Sequence, residues 1–398
     1  MGFAQGRSYL AIPGPSVVPD AVQRAMHRAA PNIYQGELVD MMDGLTTDLR
    51  HVAQTDGHVA IYIANGHGVW EASLANTIAP GDRVLVLATG HFGLGWGRHA
   101  EAMGAKVDLL DFGNRATIDP DRIETALRAD TTHEIKAVLV THVDTSSTVR
   151  NDIASVRAAL DAAGHPALLM VDCIASLGCE RFEMDRWGVD VMVSASQKGL
   201  MLPPGLGFVW FNDRADAVQT RLDRLSPYWS WTPRAKPEAF YQYFGGTAPT
   251  HHLYGLRVAL DMIRQEGLDA IWQRHARLAG AIWAATDCWA RDGAMRLNIS
   301  DPALRSHAVT ALSLTAPDAT RLRGWTEEMA GVTLGIGLGM AEQGTPAADG
   351  FFRIGHMGHV NAHMVLGALG AIEAGLAALD IPHGSGGVSA AARALAAD

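Results

Sequence analysis

The sequence predicts an α/β fold, with a large domain on a mainly parallel seven-stranded sheet flanked by helices and a smaller C-terminal α+β domain. Three observations predict it. Short apolar runs alternate with longer helical patterns between about residues 60 and 212, the rhythm of strands joined by crossover helices. The 398 residues exceed the roughly 150 of one average domain. Beyond about residue 260 the strands become fewer and the helices longer.

In chain order, apolar runs at 59–64, 83–88, 106–110, 137–141, 167–171, 191–194 and 207–211 each fit a strand. Segments 68–78, 93–103, 120–128 and 153–163 carry apolar residues at helical spacing and supply helices for both faces of that sheet. Residues 225–250 are aromatic-rich and irregular (Tyr228, Trp229, Trp231, Phe240, Tyr241, Tyr243, Phe244) and read as a long excursion. A helical pattern over 251–285 predicts one long helix leaving the large domain. A strand at 308–314, a helix at 319–329, strands at 332–334 and 351–354 and a last helix at 361–379 then build the small domain. The division is an N-terminal segment 1–20, a large domain 21–260, a small domain 261–382 and a Gly/Ala-rich tail 383–398. The tail's low complexity predicts a loosely held extension.

Composition narrows the function. With 48% hydrophobic and 19% charged residues and a mean hydropathy of +0.05, the chain has the balance of an ordered globular protein. A net charge of −10 gives no driver for broad binding to nucleic acid or an anionic membrane. No secretory signal or run of about 18 apolar residues is seen, and three cysteines make no disulfide framework, so a cytoplasmic protein is expected. Only four lysines occur, Lys106, Lys136, Lys198 and Lys236.

Asp172 ends an apolar run and Lys198 follows the next one. Residues at the carboxyl ends of adjacent parallel strands face the crevice where open α/β sheets bind ligands. Pyridoxal 5'-phosphate needs this pair: an amine for the Schiff base and a carboxylate that keeps the pyridine nitrogen protonated. Taken singly, Asp172 reads equally well as a helix cap and Lys198 as a solvated loop lysine. The turn Gly66, His67, Gly68 opens a helix after a strand and lets backbone amides approach a phosphate. It lacks the lysine of a nucleotide P-loop. His356, His359 and His363 imitate metal spacing, but no Glu or Cys completes a set, and no metal is expected.

The stretches Val171 to Gly178, Ser196 to Lys198 with Pro203-Pro204-Gly205, and Arg353 to Gly358 resemble the class V aminotransferases. Within these the chain is most similar to the glyoxylate-using branch: serine–, alanine– and aspartate–glyoxylate aminotransferases, with pyridoxamine–pyruvate aminotransferase close by. The resemblance implies the type I fold of pyridoxal-phosphate enzymes and small amino-acid and 2-oxo-acid substrates. It also implies a homodimer whose active site is shared across the interface. Residue by residue, it implies that Lys198 is the Schiff-base lysine and Asp172 the partner of the pyridine nitrogen. Gly66, His67, Gly68 and Gln197 would meet the phosphate, Phe92 would stack on the ring, and Thr145 and Ser146 would lie near the ring oxygen. Thr247 would reach the partner's phosphate, and Arg353 would clamp the substrate carboxylate, with Tyr34, Gln35 and His91 as pocket residues. Two departures stand out: Thr148 where many relatives have Gly, and Phe244 where some have Tyr, with Tyr243 beside it. The implied reaction is a ping-pong transfer from serine, aspartate or alanine to glyoxylate. A cysteine desulfurase would need a nucleophilic thiol on a mobile loop, and Cys173, Cys179 and Cys288 are not so placed. A scaffold without turnover would not need Lys198, Asp172 and Arg353 together.

Overall fold

The computed structural model describes residues 3–223 and 225–397. Its large sheet contains β2 (His58–Ala64), β3 (Arg83–Ala88), β4 (Lys106–Asp111), β5 (Ile135–Thr141), β6 (Leu168–Asp172), β7 (Val191–Ala195) and β8 (Gly205–Phe211). The spatial order is β2-β8-β7-β6-β5-β3-β4, and β8 alone runs against its neighbours. The inner strands β3, β5, β6, β7 and β8 are rich in apolar residues because both faces are covered, whereas edge strand β4, KVDLLD, is partly exposed. Val59, Leu85, Val138 and Leu169 enter one core beneath helices Met42–Ala53, Pro120–Ala129, Ile153–Ala162 and Thr250–Glu266. Ala60, Val84, Ala137 and Leu168, one position along each strand, enter the other beneath Gly66–Ala75 and His91–Ala102.

The small domain carries a second sheet. Its strands are β9 (Arg296–Leu297), β10 (Val309–Ser313), β11 (Val332–Ile336) and β12 (Phe351–Gly355), joined at one edge by β1 (Tyr9–Ala11) from the amino terminus. The order is β1-β11-β12-β10-β9, with β1 parallel to β11 and Tyr9 opposite Val332. Helices Leu268–Trp289, Asp318–Ala330 and Ala362–Ala378 enclose its apolar core.

Three elements differ from the sequence expectation. The helix expected over 251–285 is two helices, Thr250–Glu266 and Leu268–Trp289, parted at Gly267 with φ +84°; a glycine adopts that angle without steric cost. The N-terminal segment is not separate from the folded body, since β1 completes the small sheet. The tail is not a loose extension either: Gly387–Ala396 is a helix docked on Leu268–Trp289, with Ala391 fully buried. Arg277 Nη2 donates to the carbonyls of Leu395 and Ala397 at 2.9 and 2.7 Å. A Cβ on Gly387 would stand 2.1 Å from Trp289 Nε1, so the small residues that resemble low complexity are what permits close helix contact.

The excursion 225–250 is irregular, as its composition suggests, and is anchored by a buried arginine. Arg234 donates to the carbonyls of Ile61 at 2.8 Å and Tyr228 at 2.7 Å, so backbone acceptors with no regular partner are satisfied. Among the described residues no helix is long and apolar enough to cross a membrane.

Candidate active site

The carboxyl ends of β2, β3, β5, β6 and β7 open on one cavity of about 260 Å³. Of the residues singled out from the sequence, Gly66, His67, Phe92, Thr145, Asp172, Gln197 and Lys198 line it together. Gly14, Pro15, Asn65, Trp70, Val143, Ile174 and Pro204 complete the wall, and the sequence reading missed these. Gly68 is the third residue of the helix, where its amide donates to the capping Asn65 Oδ1 at 3.2 Å. Ser146 does not reach the cavity. Its hydroxyl donates to Asp144 Oδ1 at 2.5 Å and accepts from the His91 amide at 2.9 Å. Thr247 is exposed and Tyr34 is 87% exposed, so neither joins the cavity within one chain.

Lys198 is buried, and its amine donates to the Pro13 carbonyl. Burial pushes its pKa down to about 8, the Arg353 cation adds to that, and Asp172 and Cys179 oppose it. An amine so shifted is neutral in about a tenth of molecules at pH 7, far more than an unshifted lysine, and the neutral form is what nucleophilic attack on a carbonyl requires. The lysine turn is clamped from the amino terminus, since Ser16 Oγ donates to the Lys198 carbonyl at 2.7 Å. Gly14, at φ +94°, lets the chain pass close: a Cβ there would stand 2.6 Å from Lys198 Cδ and Cε.

Asp172 is buried at the end of β6. Oδ1 accepts from the Ile174 amide at 2.7 Å and Oδ2 from Trp70 Nε1 at 2.9 Å. Burial pushes the carboxyl up to about 7, against the pull of these two donors. A second carboxylate, Asp144, organises the neighbouring loop. Its Oδ2 accepts the amides of Phe92 and Gly93 at 2.9 and 3.0 Å, capping helix His91–Ala102. Asp144 thereby sets Phe92 at the cavity wall, a role that an Asp inside a Thr/Ser-rich turn does not announce.

Arg353 leaves β12 and is 5% exposed. Nε donates to the Ile336 carbonyl and Nη1 to that of Thr145, each at 2.7 Å, so the small domain grips a residue that lines the cavity. Burial lowers its pKa to about 10, Asp144 opposing and Arg323 adding to the fall, and it stays a cation at neutral pH.

The residues fit pyridoxal 5'-phosphate. Asp172 is a buried carboxylate with amide and indole donors but no cation hydrogen-bonded to it among the described residues, and a protonated ring nitrogen supplies one. The Gln197 Oε1 is buried without a partner, polar capacity that a ligand would use. The Gly66 turn packs against Ile174, whose Cδ1 would have to move for a Cβ 2.6 Å away to fit. Two of the three histidines at metal-like spacing are engaged elsewhere: His356 Nε2 meets Thr310 Oγ1 at 2.9 Å and His363 Nδ1 meets Asn361 Oδ1 at 3.2 Å.

Residues 63–337 match the model of the family described as aminotransferase class-V. The chain is 37% identical to serine–glyoxylate aminotransferase of Methylorubrum extorquens over 93% of this chain and 91% of that one. It is 36% identical to L-aspartate–glyoxylate aminotransferase of Paracoccus denitrificans over 96% and 94%. The solved structure of pyridoxamine–pyruvate aminotransferase from Mesorhizobium loti superposes with a TM-score of 0.88 at 25% identity, covering 100% of this chain and 99% of that one. The chain matches these relatives along nearly its whole length, and it belongs to the class V aminotransferases, enzymes dependent on pyridoxal 5'-phosphate.

Proposed function

We propose that the protein moves the amino group of a small L-amino acid to glyoxylate, releasing a 2-oxo acid and glycine. One observation carries the reading: a buried lysine amine and a buried carboxylate line the same cavity, with the Arg353 cation bonded to a third lining residue. When bound, pyridoxal 5'-phosphate supplies an aldehyde that takes up amino groups and a ring that accepts the electrons of a carbanion. In this reading Lys198 would hold the cofactor through its amine and, once free, would serve as the base for the donor Cα proton. Asp172 keeps the ring nitrogen protonated. Phe92 and Ile174, on the cavity wall, would hold the ring, and Gly66, His67 and Gln197 would meet the phosphate, with Gly68 keeping the turn small. Arg353 takes the carboxylate common to the donor and glyoxylate through its planar fork. The donor is serine, aspartate or alanine, the first two being the donors named for the relatives at 37% and 36% identity.

Exposed Tyr34, Tyr241 and Ile63, with Tyr228 beside Ile63, support a homodimer in which Thr247 and Tyr34 complete the partner's site. Three free, buried cysteines fit a reducing cytoplasm. Sulfur transfer is disfavoured, since burial pushes Cys179 up to about 12 and Cys173 well above the usual thiol range, the opposite of a reactive thiol.

The test is a panel of amino donors offered with glyoxylate to the cofactor-loaded enzyme, ranked by kcat/KM. Glycine should form with at least one of serine, aspartate and alanine. No glycine from any donor would overturn the reading.

A further inference from the structure

Trp70 is fully buried and reads, from its place in an apolar helix, as ordinary core. Its indole N–H nonetheless leaves the core to donate to Asp172 Oδ2 at 2.9 Å. The ring is fixed on three sides: Trp96 lies parallel at 6.2 Å, while Phe92 and His67 meet it edgewise at 6.3 and 4.9 Å. Since Trp70 lies one turn in from Gly66, the helix that offers its first turn to the cavity also delivers the indole to the carboxylate.

We infer that Trp70 is a positioning residue which, through its hydrogen bond to Asp172, fixes the plane of that carboxylate and holds it ionised, so that the cofactor's ring nitrogen keeps its proton. The inference rests on the reading of the site as a pyridoxal-phosphate site. An indole N–H can only donate, so the oxygen it meets must accept. With the Ile174 amide on Oδ1 and the indole on Oδ2, each oxygen is committed to accepting, and a carboxyl proton would have to compete for the remaining lone pairs. Burial pulls the other way and Asp144 adds repulsion, so loss of the indole donor shifts the balance toward the protonated acid, which no longer pairs with a protonated ring. Contact with Phe92 and His67 ties this tuning to the side chains beside the ring and the phosphate.

The test uses the full-length holoenzyme carrying cofactor isotope-labelled at the ring nitrogen, followed by NMR as pH is raised. Trp70→Phe keeps an aromatic ring and removes the donor. Its ring nitrogen should lose the proton about one to two pH units below wild type, and the cofactor should dissociate roughly 10- to 100-fold more readily. Trp70→His, which retains a ring N–H, should recover much of both. Should the Phe variant fail to fold, the wild-type protein without cofactor carries the test: the indole N–H resonance of Trp70 should move with a midpoint near 7, where Asp172 titrates. An unchanged ring-nitrogen titration in a folded Phe variant, or an indole resonance indifferent to pH, overturns the inference while leaving the aminotransferase reading intact. Failure of the wild-type protein to bind the cofactor overturns both.

Discussion

Arg353 Nη1 donates to the backbone carbonyl of Thr145 at 2.7 Å, fastening the central strand of the small sheet to the loop after β5. A lysine at this position keeps the charge but cannot serve Ile336, Thr145 and a substrate carboxylate together. Arg353→Lys should lower kcat/KM for the donor by roughly 100-fold, about 3 kcal/mol, with most of the loss in KM. Steady-state kinetics alongside a melting curve separates this from unfolding.

The Lys198 amine is protonated below about pH 8 in the cofactor-free protein and neutral above it. Covalent capture of the cofactor, followed by stopped-flow absorbance, should therefore speed up as pH rises, with a midpoint near 8. Asp172 favours the charged amine, so Asp172→Asn should move that midpoint downward. Lys198→Ala should show no covalent capture at any pH.

Gly14 and Gly36 have similar backbone angles, φ +94° and +92°, but different surroundings. A Cβ on Gly14 would strike the Lys198 side chain, whereas one on Gly36 would meet nothing within 4 Å. Alanine at either site should cost about 1 to 2 kcal/mol of backbone strain. Only Gly14→Ala should also slow capture of the cofactor, by displacing the lysine. Equal capture rates in the two variants would remove the steric argument.

Thr148, a β-branched residue, is held at φ +65° in the loop that carries Thr145. That conformation costs about 1 to 2 kcal/mol, which the buried side chain offsets in part. Thr148→Gly should leave the urea midpoint unchanged or raise stability by up to about 1 kcal/mol. Val149→Gly, next door but buried at an ordinary angle, should lower it.

Burial lowers His142 and His275 to about 4 and His356 to about 3. Below about pH 6.5 the unfolded chain takes up protons that the folded one refuses, so stability is full above 6.5 and declines as pH falls toward 4. His356→Gln should flatten part of that slope in chemical unfolding followed across pH.

The large sheet is legible in the sequence because strands buried on both faces leave uninterrupted apolar runs. Asp172 and Lys198 are legible because each follows such a run. What escapes is contact between distant segments. Trp70 and Ile174 pass for core, Asp144 passes for a turn residue, and Gly14 acquires meaning only once Lys198 lies against it. The docked tail escapes for a related reason, since Ala and Gly carry no periodic signal strong enough to mark a helix, although they let two helices touch.

The pairing of Tyr9 with Val332 also sets an order of events in synthesis. β1 is made about 320 residues ahead of its neighbour β11. The amino-terminal strand therefore waits, an unpaired edge, while the large domain folds ahead of it. Because residues 13–16 of the same segment hold the lysine turn, the final placing of Lys198 is coupled to a strand pairing that closes late.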